Sequence, residues 1–225
     1  MSSIFYDTFT TPFGDFSAAV DDAGNVVATA FGDLAALRQR LRSSRRCSLA
    51  GRGVPAEPAV SAAHRDGSPY RSLARNPAVH AAGHEMSRDA EWVSDQHRTG
   101  AVREQVGEYC GGARQEFDLP LAPTGSAFQQ RVWTALRAIP FGTTCSYAQL
   151  AARLGLSGGA RAIGGANAAN PICLIVPCHR IIGSNGALTG FAFGEERKRA
   201  LLEHERAATL AASRAPAVPQ AACRA

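Results

Sequence analysis

Apolar and polar side chains alternate with a period of two along the amino-terminal segment, and the spacing then changes to that of a helix. The alternation predicts three strands, Ile4–Thr11, Phe16–Val20 and Val26–Phe31, separated by turn residues. Asp33 is placed to cap a following helix, which the recurring leucines carry through Arg42. The segment is therefore expected to form a small sheet followed by a helix.

A helical spacing returns at residues 94–111 and again beyond residue 125. Two capping boxes, at residues 126–129 and 146–149, each predict the start of a helix with apolar side chains on one face. Gly155 ends the second of these helices, and a further short helix is predicted over 159–169. Helix, glycine-containing turn and helix is the outline of a helix-turn-helix.

Residues 43–93 differ from their surroundings because Ser, Arg, Ala, Gly, Pro and His dominate and apolar periodicity is absent. This composition predicts a long, flexible insertion. His80 and His84 have a spacing that could serve a zinc site, but no third ligand is evident, so a polar loop is the favoured interpretation. The Ala-rich tail, 207–225, is expected to be disordered.

Cysteine use and hydropathy indicate an intracellular protein. The 225-residue chain has six scattered cysteines, which is typical of reduced thiols rather than a disulfide framework. It has no apolar run of the ~20 residues needed to span a bilayer, and its start does not resemble a secretory leader. A cytoplasmic location without membrane contact is expected.

Charge is unevenly distributed along the chain. The net charge is +5, and residues 121–194 contain several arginines but no Asp or Glu. An acid-free surface would attract phosphates. The pattern could also reflect the overall composition, which is rich in arginine and includes a single lysine, Lys198. Charge alone does not decide between a phosphate-binding surface and such a bias in composition.

The predicted helix over 159–169 is unusually rich in small residues. Gly164 and Gly165 lie in mid-helix, where each glycine costs about 1 kcal/mol relative to alanine. Small side chains allow close approach either to a neighbouring helix or to a narrow groove, with Arg161 as the one long side chain. Pattern alone slightly favours packing within the protein.

The tetrapeptide Pro177-Cys178-His179-Arg180 supplies the candidate chemistry. It follows the apolar run 172–176, which predicts a buried strand with Cys178 at its end. A neighbouring base can activate a thiol, but adjacent residues of an extended chain point apart, so His179 would act through a water molecule or after a bend. An inert buried cysteine remains an alternative. A metal site is also conceivable, although its ligands match no standard zinc spacing: Cys145, Cys173, Cys178 and His179.

With its flanks, this tetrapeptide resembles the active-site motif of the O6-alkylguanine-DNA alkyltransferases, also called methylated-DNA–protein-cysteine methyltransferases. Further segments follow the order and spacing of that family, and the resemblance covers roughly 4–42 and 94–206. These segments are Phe128-Gln-Gln-Arg-Val-Trp133, Ile139-Pro-Phe-Gly-Thr-Thr144, Ser146-Tyr-Ala-Gln-Leu-Ala151, Ala160-Arg-Ala-Ile-Gly-Gly-Ala166, Asn170-Pro171, Gly183-Ser-Asn-Gly186 and Leu201-Leu-Glu-His-Glu205.

The resemblance implies an irreversible, single-use transfer of an alkyl group from guanine O6 to Cys178. His179 would take the thiol proton through a water molecule, and Glu205 would hold the imidazole. Tyr147 would support protonation of the leaving guanine, and Asn170 would shape the turn behind the cysteine.

It also implies recognition of a base flipped out of double-stranded DNA, with no metal and no cofactor. The carbonyl oxygens of Cys178 and Ile181 would accept from the exocyclic amine, and Thr189 would line the pocket for the lesion. The helix-turn-helix would enter the minor groove, which is only ~6 Å wide. The small residues of its second helix would let the backbone approach this narrow groove closely. The residues implied at this interface are Arg161, Ala162, Gly164 and Gly165.

The implied architecture is α+β. Residues 1–42 with 94–120 would form a small ribonuclease-H-like domain of sheet and helix. Residues 121–206 would form a mainly helical DNA-binding and catalytic domain, with the helix-turn-helix and a carboxy-terminal active-site strand and loop. A monomer is expected.

Three other functions compete with this interpretation. A non-catalytic module that binds alkylated bases and flags them for another pathway is weakened by the presence of Cys178. A transcription factor would need more long polar side chains on its recognition helix. A cysteine hydrolase would need an oxyanion hole, for which the sequence offers no candidate.

Overall fold

A computed structural model describes residues 3–49 and 90–214, and its architecture is α+β as predicted. The central part of the predicted insertion, with His80 and His84, and residues 215–225 of the predicted tail lie outside the described residues. The prediction that a disordered tail begins at residue 207 was wrong, because a helix continues through residues 207–214. In chain order the elements are β1 (Ser3–Thr11), β2 (Gly14–Val20), β3 (Val26–Phe31), α1 (Leu34–Leu49), β4 (Glu91–Ser94), α2 (Gly100–Cys110), α3 (Ala127–Arg137), β5 (Cys145–Ser146), α4 (Tyr147–Arg153), α5 (Ala160–Ala168), a 3₁₀ turn (Cys178–Arg180), β6 (Ile181–Ile182) and α6 (Glu195–Arg214).

The amino-terminal strands form a sheet in the order β3-β2-β1-β4. The first three strands are antiparallel neighbours, whereas β4 pairs parallel to β1. Every residue of β3 is buried because both faces of this strand are covered. One face packs with Leu37 and Leu41 of α1, and the other contributes Val26 and Phe31 to the core shared with the carboxy-terminal helices.

Both boundaries predicted for the insertion, residues 43 and 93, were wrong. Asp33 caps α1 as expected, with its Oδ1 accepting from the Ala36 amide at 3.0 Å, but the helix continues past Arg42 to Leu49. The segment lacked apolar periodicity, which is the signal that predicts a helix, although a helix already begun can extend through Arg and Ser. β4 was missed because an edge strand of four residues is held by backbone pairing and has little pattern of its own.

Helices α3, α4 and α5 position the carboxy-terminal half around a common core. Both predicted capping boxes are present, at Ser126 with Gln129 and at Ser146 with Gln149. The Trp133 indole of α3 donates to the Ala166 carbonyl at 2.9 Å and so fixes α5 against α3. Helices α4 and α5 with the turn between them form the predicted helix-turn-helix. No helix within residues 3–49 and 90–214 has the length and apolar character to cross a membrane.

The apolar run 172–176 is buried as predicted, but it is not a strand. Leu174 adopts a positive φ of 69°, and the Val176 amide returns to the Ile172 carbonyl at 2.9 Å, which closes a turn. Among the described residues, one isolated bridge, between Thr29 and Ile172, links this segment to a strand of the sheet. The apolar pattern predicted burial correctly, but such a pattern does not distinguish a buried strand from a buried turn.

Candidate active site

Cys178 begins the 3₁₀ turn, and only 4% of its surface is exposed. Asn170 builds the loop behind it, because its side-chain amide donates to the Val176 carbonyl at 3.0 Å and its Oδ1 accepts from the Ile172 amide at 3.0 Å. The prediction that Cys178 sits at the end of a strand was therefore wrong. The thiol sits on a tight turn, and this turn gives His179 the bend that an extended chain would have denied it.

The surroundings of Cys178 act on its thiol in opposite directions. Burial raises the pKa of Cys178, whereas the Arg40 guanidinium, the Asn170 side chain and the Lys198 ammonium all favour the thiolate. Burial prevails, so that the resting group is a thiol. A thiolate must then be generated at the moment of reaction, which requires a base.

His179 and Glu205 form a fully buried pair. The distance between His179 Nε2 and Glu205 Oε1 is 2.8 Å. A carboxylate can only accept, so Nε2 carries the hydrogen and Nδ1 is left as the unprotonated acceptor. Burial lowers the pKa of His179, which keeps the imidazole neutral, and Nδ1 is buried without a hydrogen-bond partner among the described residues. The pair therefore holds the imidazole neutral, with the lone pair of Nδ1 available to accept a proton. His179 directly follows the thiol residue, Cys178, in the chain.

Glu205 is held as an anion by several donors. The Arg180 guanidinium donates to both carboxylate oxygens, with distances between 2.9 and 3.2 Å, and the Gly142 amide donates to Oε2 at 2.9 Å. Burial would raise the pKa of Glu205, but the hydrogen bond from His179 and the charge of Arg180 outweigh it and lower the pKa to about 2. Arg180 thus braces the carboxylate rather than facing a substrate.

Tyr147, Ile181 and Thr189 come together at one side of the cysteine. The Tyr147 hydroxyl donates to the Thr189 carbonyl at 3.4 Å, and Gly190 permits this approach because a Cβ there would collide with the phenol oxygen. The Lys198 ammonium donates to the carbonyls of Ile181 and Thr189. Lys198 therefore ties the turn that follows Cys178 to the loop that carries Thr189.

Helix α5 presents several of its small residues to solvent. Ile163 and Ala166 point into the core, whereas Arg161, Ala162 and Gly165 lie on the exposed face. A Cβ added at Gly165 would meet nothing within 4 Å, and one at Gly164 would come no closer than 3.8 Å to Tyr147. Packing within the described residues therefore does not require either glycine, which removes the interpretation that pattern alone had slightly favoured.

Three residues that contact this site were missed by sequence reasoning. Arg40 of α1 donates to the Asn170 carbonyl, Lys198 holds the two carbonyls described above, and Tyr109 of α2 donates to Glu205 Oε1 at 2.9 Å. One feature of the sequence singled out Lys198, because it is the only lysine among many arginines. For Arg40 and Tyr109, the sequence indicated only that each residue lies on a predicted helix.

The alternative of a metal site at Cys145, Cys173, Cys178 and His179 receives no support from the geometry. Within the described ranges, no three or more His, Cys, Asp or Glu side chains are grouped so that they could hold a metal ion.

Comparison with known proteins bears on the same segments. The family profile described as 6-O-methylguanine DNA methyltransferase, DNA binding domain, matches residues 127–207. The methylated-DNA–protein-cysteine methyltransferase of Mycobacterium bovis is 48% identical over 134 residues, which cover 60% of this chain and 77% of that protein. The chain belongs to the methylated-DNA–protein-cysteine methyltransferase family. A second methyltransferase, from Salmonella typhimurium, is 52% identical over 107 residues, covering 47% of this chain and 63% of that protein.

Solved methyltransferase structures extend the likeness to the amino-terminal half. The crystal structure of Mycobacterium tuberculosis OGT in complex with DNA matches with a TM-score of 0.64 and 31% identity, covering 91% of this chain and 94% of that one. The crystal structure of the O6-methylguanine methyltransferase of the same organism matches with a TM-score of 0.61 and 32% identity, covering 97% of each chain. The arrangement of a small sheet, a helix and a mainly helical second half is thus that of the methyltransferase family.

Proposed function

We propose that this methyltransferase repairs O6-alkylguanine in double-stranded DNA by moving the alkyl group onto Cys178 in one irreversible step. The observation that carries the proposal is the buried His179–Glu205 pair next to a buried thiol, in a chain of this family. The Nδ1 lone pair of His179 takes the thiol proton through a water molecule. Glu205 stabilises the resulting imidazolium without itself becoming protonated.

The transfer forms one bond and breaks another. Cys178 Sγ attacks the alkyl carbon, and the bond from that carbon to guanine O6 breaks with its electrons remaining on guanine. Tyr147 supports protonation of the leaving guanine, which would otherwise depart as an anion in a dry pocket. Overall, guanine exchanges an alkyl group for the thiol hydrogen. The thioether that remains on Cys178 is stable, so each chain acts once.

Recognition of guanine rests on the backbone around the cysteine. The carbonyls of Cys178 and Ile181 accept from the exocyclic amine, and Thr189 lines the pocket for the alkyl group. Lys198 supports this role because its ammonium fixes the carbonyls of Ile181 and Thr189. Asn170 keeps the turn in place through its two contacts with the 172–176 segment.

DNA is bound through α5, which lies in the minor groove. Arg161 enters the base stack in place of the flipped nucleotide, and Ala162, Gly164 and Gly165 let the helix backbone approach the groove. The exposed, acid-free face of α5 supports this orientation. A monomer in the cytoplasm remains our prediction for the assembly and location.

Methyl transfer to the intact protein tests the proposed function. Incubation with a duplex that contains O6-methylguanine should add one methyl group, about 14 Da, to the tryptic peptide that carries Cys178. Titration with excess lesion should reach a plateau at one methyl group per chain. Continuous turnover would contradict the single-use mechanism. Lesion binding with no change in mass would favour the alternative of a non-catalytic module that flags alkylated bases.

Replacement of Arg161 with alanine tests the role of α5. Loss of the side chain that occupies the vacated stack should slow repair of duplex DNA roughly 10- to 100-fold, because unstacking a base costs a few kcal/mol. Reaction with the free base O6-methylguanine should be unchanged, since the free base needs no flipping. Single-turnover rates on both substrates provide the measurement. Arg42→Ala, which removes an exposed arginine from α1, serves as the matched control. Equal losses on the two substrates would contradict the assignment.

A further inference from the structure

Glu205 is contacted from two parts of the chain. Gly142, His179 and Arg180 all lie within the segment that matches the family profile. The remaining donor is the hydroxyl of Tyr109, which comes from α2 in the amino-terminal half and lies 2.9 Å from Glu205 Oε1. The proposed mechanism gives Tyr109 no task, although it contacts the carboxylate that orients the base.

We propose that Tyr109 is a positioning residue for alkyl transfer, which holds Glu205 so that its carboxylate orients and moderates His179. The inference rests on the proposed function and deepens it, because it assigns part of the proton-transfer apparatus to α2. Tyr109 does not touch the substrate in this scheme. It acts only through Glu205.

The direction of the hydrogen bond follows from the two groups. A carboxylate accepts and cannot donate, so the phenol must be the donor. Burial, together with the neighbouring Glu205 charge, raises the pKa of Tyr109 well above its ordinary value. The hydroxyl therefore keeps its hydrogen over the whole pH range in which the protein works.

Tyr109 and His179 donate to the same oxygen. Oε1 of Glu205 accepts from the phenol at 2.9 Å and from His179 Nε2 at 2.8 Å. Each donor to that oxygen withdraws negative charge that would otherwise stabilise a protonated imidazole. Tyr109 thereby holds the basicity of His179 down, in the same direction as burial and the positive charges of Arg180 and Lys198, and against the charge of Glu205.

The ring of Tyr109 is fixed independently of its hydroxyl. It is fully buried, stacks on Phe117 with ring centroids 5.6 Å apart, packs edge-on with Phe141, and contacts the tilted ring of His204. The backbone is anchored as well, because the Tyr109 carbonyl accepts from His204 Nε2 at 2.8 Å. Phenylalanine should therefore occupy the same place and lose only the hydrogen bond to Glu205.

The consequence of losing that bond has a definite sign. With fewer donors on Oε1, the carboxylate attracts the imidazolium more strongly, and the pKa of His179 rises. Transfer needs an unprotonated Nδ1, so the acid limb of the rate–pH profile should move to higher pH. A residue that only supports the fold would lower stability and leave this limb where it is.

The test is the pH dependence of single-turnover methyl transfer in the full chain, measured from about pH 5 to pH 9. For Tyr109→Phe we expect the acid limb to move upward by roughly half a unit to one unit, with a plateau at high pH close to that of the original protein. The control is Tyr6→Phe, which removes a hydroxyl from β1 and should not move the limb.

A second measurement does not depend on alkyl transfer. NMR titration of the His179 imidazole should show a higher pKa in Tyr109→Phe than in the original chain. An unchanged limb together with an unchanged His179 pKa would overturn the role of Tyr109. So would a failure of Tyr109→Phe to fold, since the hydroxyl would then serve the fold itself. Absence of methyl transfer in the original protein would instead refute the proposed function, whatever the titration shows.

Discussion

Cys178→Ala is expected to abolish methyl transfer completely while leaving binding to lesion-containing duplex largely unchanged. The thiol is the only proposed acceptor of the alkyl group, and its neighbour Cys173 forms hydrogen bonds with Thr29 rather than with a base. We propose that DNA is bound through α5, which the substitution does not touch. Mass spectrometry of the tryptic peptides measures the first effect, and fluorescence anisotropy with a labelled duplex measures the second.

Cys173→Ala provides the matched control for this prediction. Cys173 is also a fully buried thiol, but its sulfur exchanges hydrogen bonds with Thr29, and burial raises its pKa to about 12. It should stay protonated and unreactive, so its replacement should leave the methyl group on Cys178. Methyl transfer that survives in Cys178→Ala and disappears in Cys173→Ala would reverse the assignment of the acceptor.

Local pattern predicted most elements because their stabilising contacts are close in sequence. The three strands alternate, and each capping box is a contact between residues three positions apart, at Ser126 and Ser146. The predictions failed where contacts between residues far apart in the sequence determine the local structure. Residues 172–176 form a turn because Asn170 and Thr29 hold their backbone, and an apolar run contains no information about such partners.

The candidate site divides in the same way. The Pro-Cys-His-Arg motif indicated a reactive thiol, and the family resemblance linked His179 with Glu205, which lies 26 positions along the chain. Arg40 and Tyr109 reach the same site across 130 and 96 positions, from helices whose sequences predict only an amphipathic face. Their roles depend on how α1 and α2 pack against the carboxy-terminal half, which a single sequence does not specify.

Glu205→Gln should lower both the stability of the protein and its rate of methyl transfer. The carboxylate neutralises the buried guanidinium of Arg180, and breaking a buried ion pair typically costs 3–5 kcal/mol, so we expect a loss of about that size in the free energy of unfolding. The amide offers one acceptor oxygen to donors that now use two, and it no longer stabilises an imidazolium. Transfer should slow by roughly 10²- to 10⁴-fold. Urea denaturation and single-turnover kinetics measure the two losses, with Glu203→Gln, an exposed residue of α6, as the control.

The stability difference between Glu205→Gln and the original protein should also depend on pH, with a definite sign. The folded pKa of Glu205, about 2, lies below its value of about 4.3 in the unfolded chain. A depressed carboxyl pKa contributes stability that is fully present above the unfolded pKa and is lost as pH falls through the folded one. The difference between the two proteins should therefore shrink by about 3 kcal/mol as pH falls from about 5 to about 2. A difference that stayed constant over this range would show that Glu205 acts through packing rather than through its charge.

Combining Glu205→Gln with Arg180→Met separates stability from reactivity. Replacing both members of a buried ion pair with uncharged groups is often neutral for stability, because no charge is left unpaired. The double variant should therefore recover much of the free energy of unfolding that the single variant loses. It should not recover methyl transfer, because His179 still lacks the carboxylate that fixes its tautomer. If transfer returned together with stability, Glu205 would be needed only to neutralise Arg180, and the proton would have to leave Cys178 by another route.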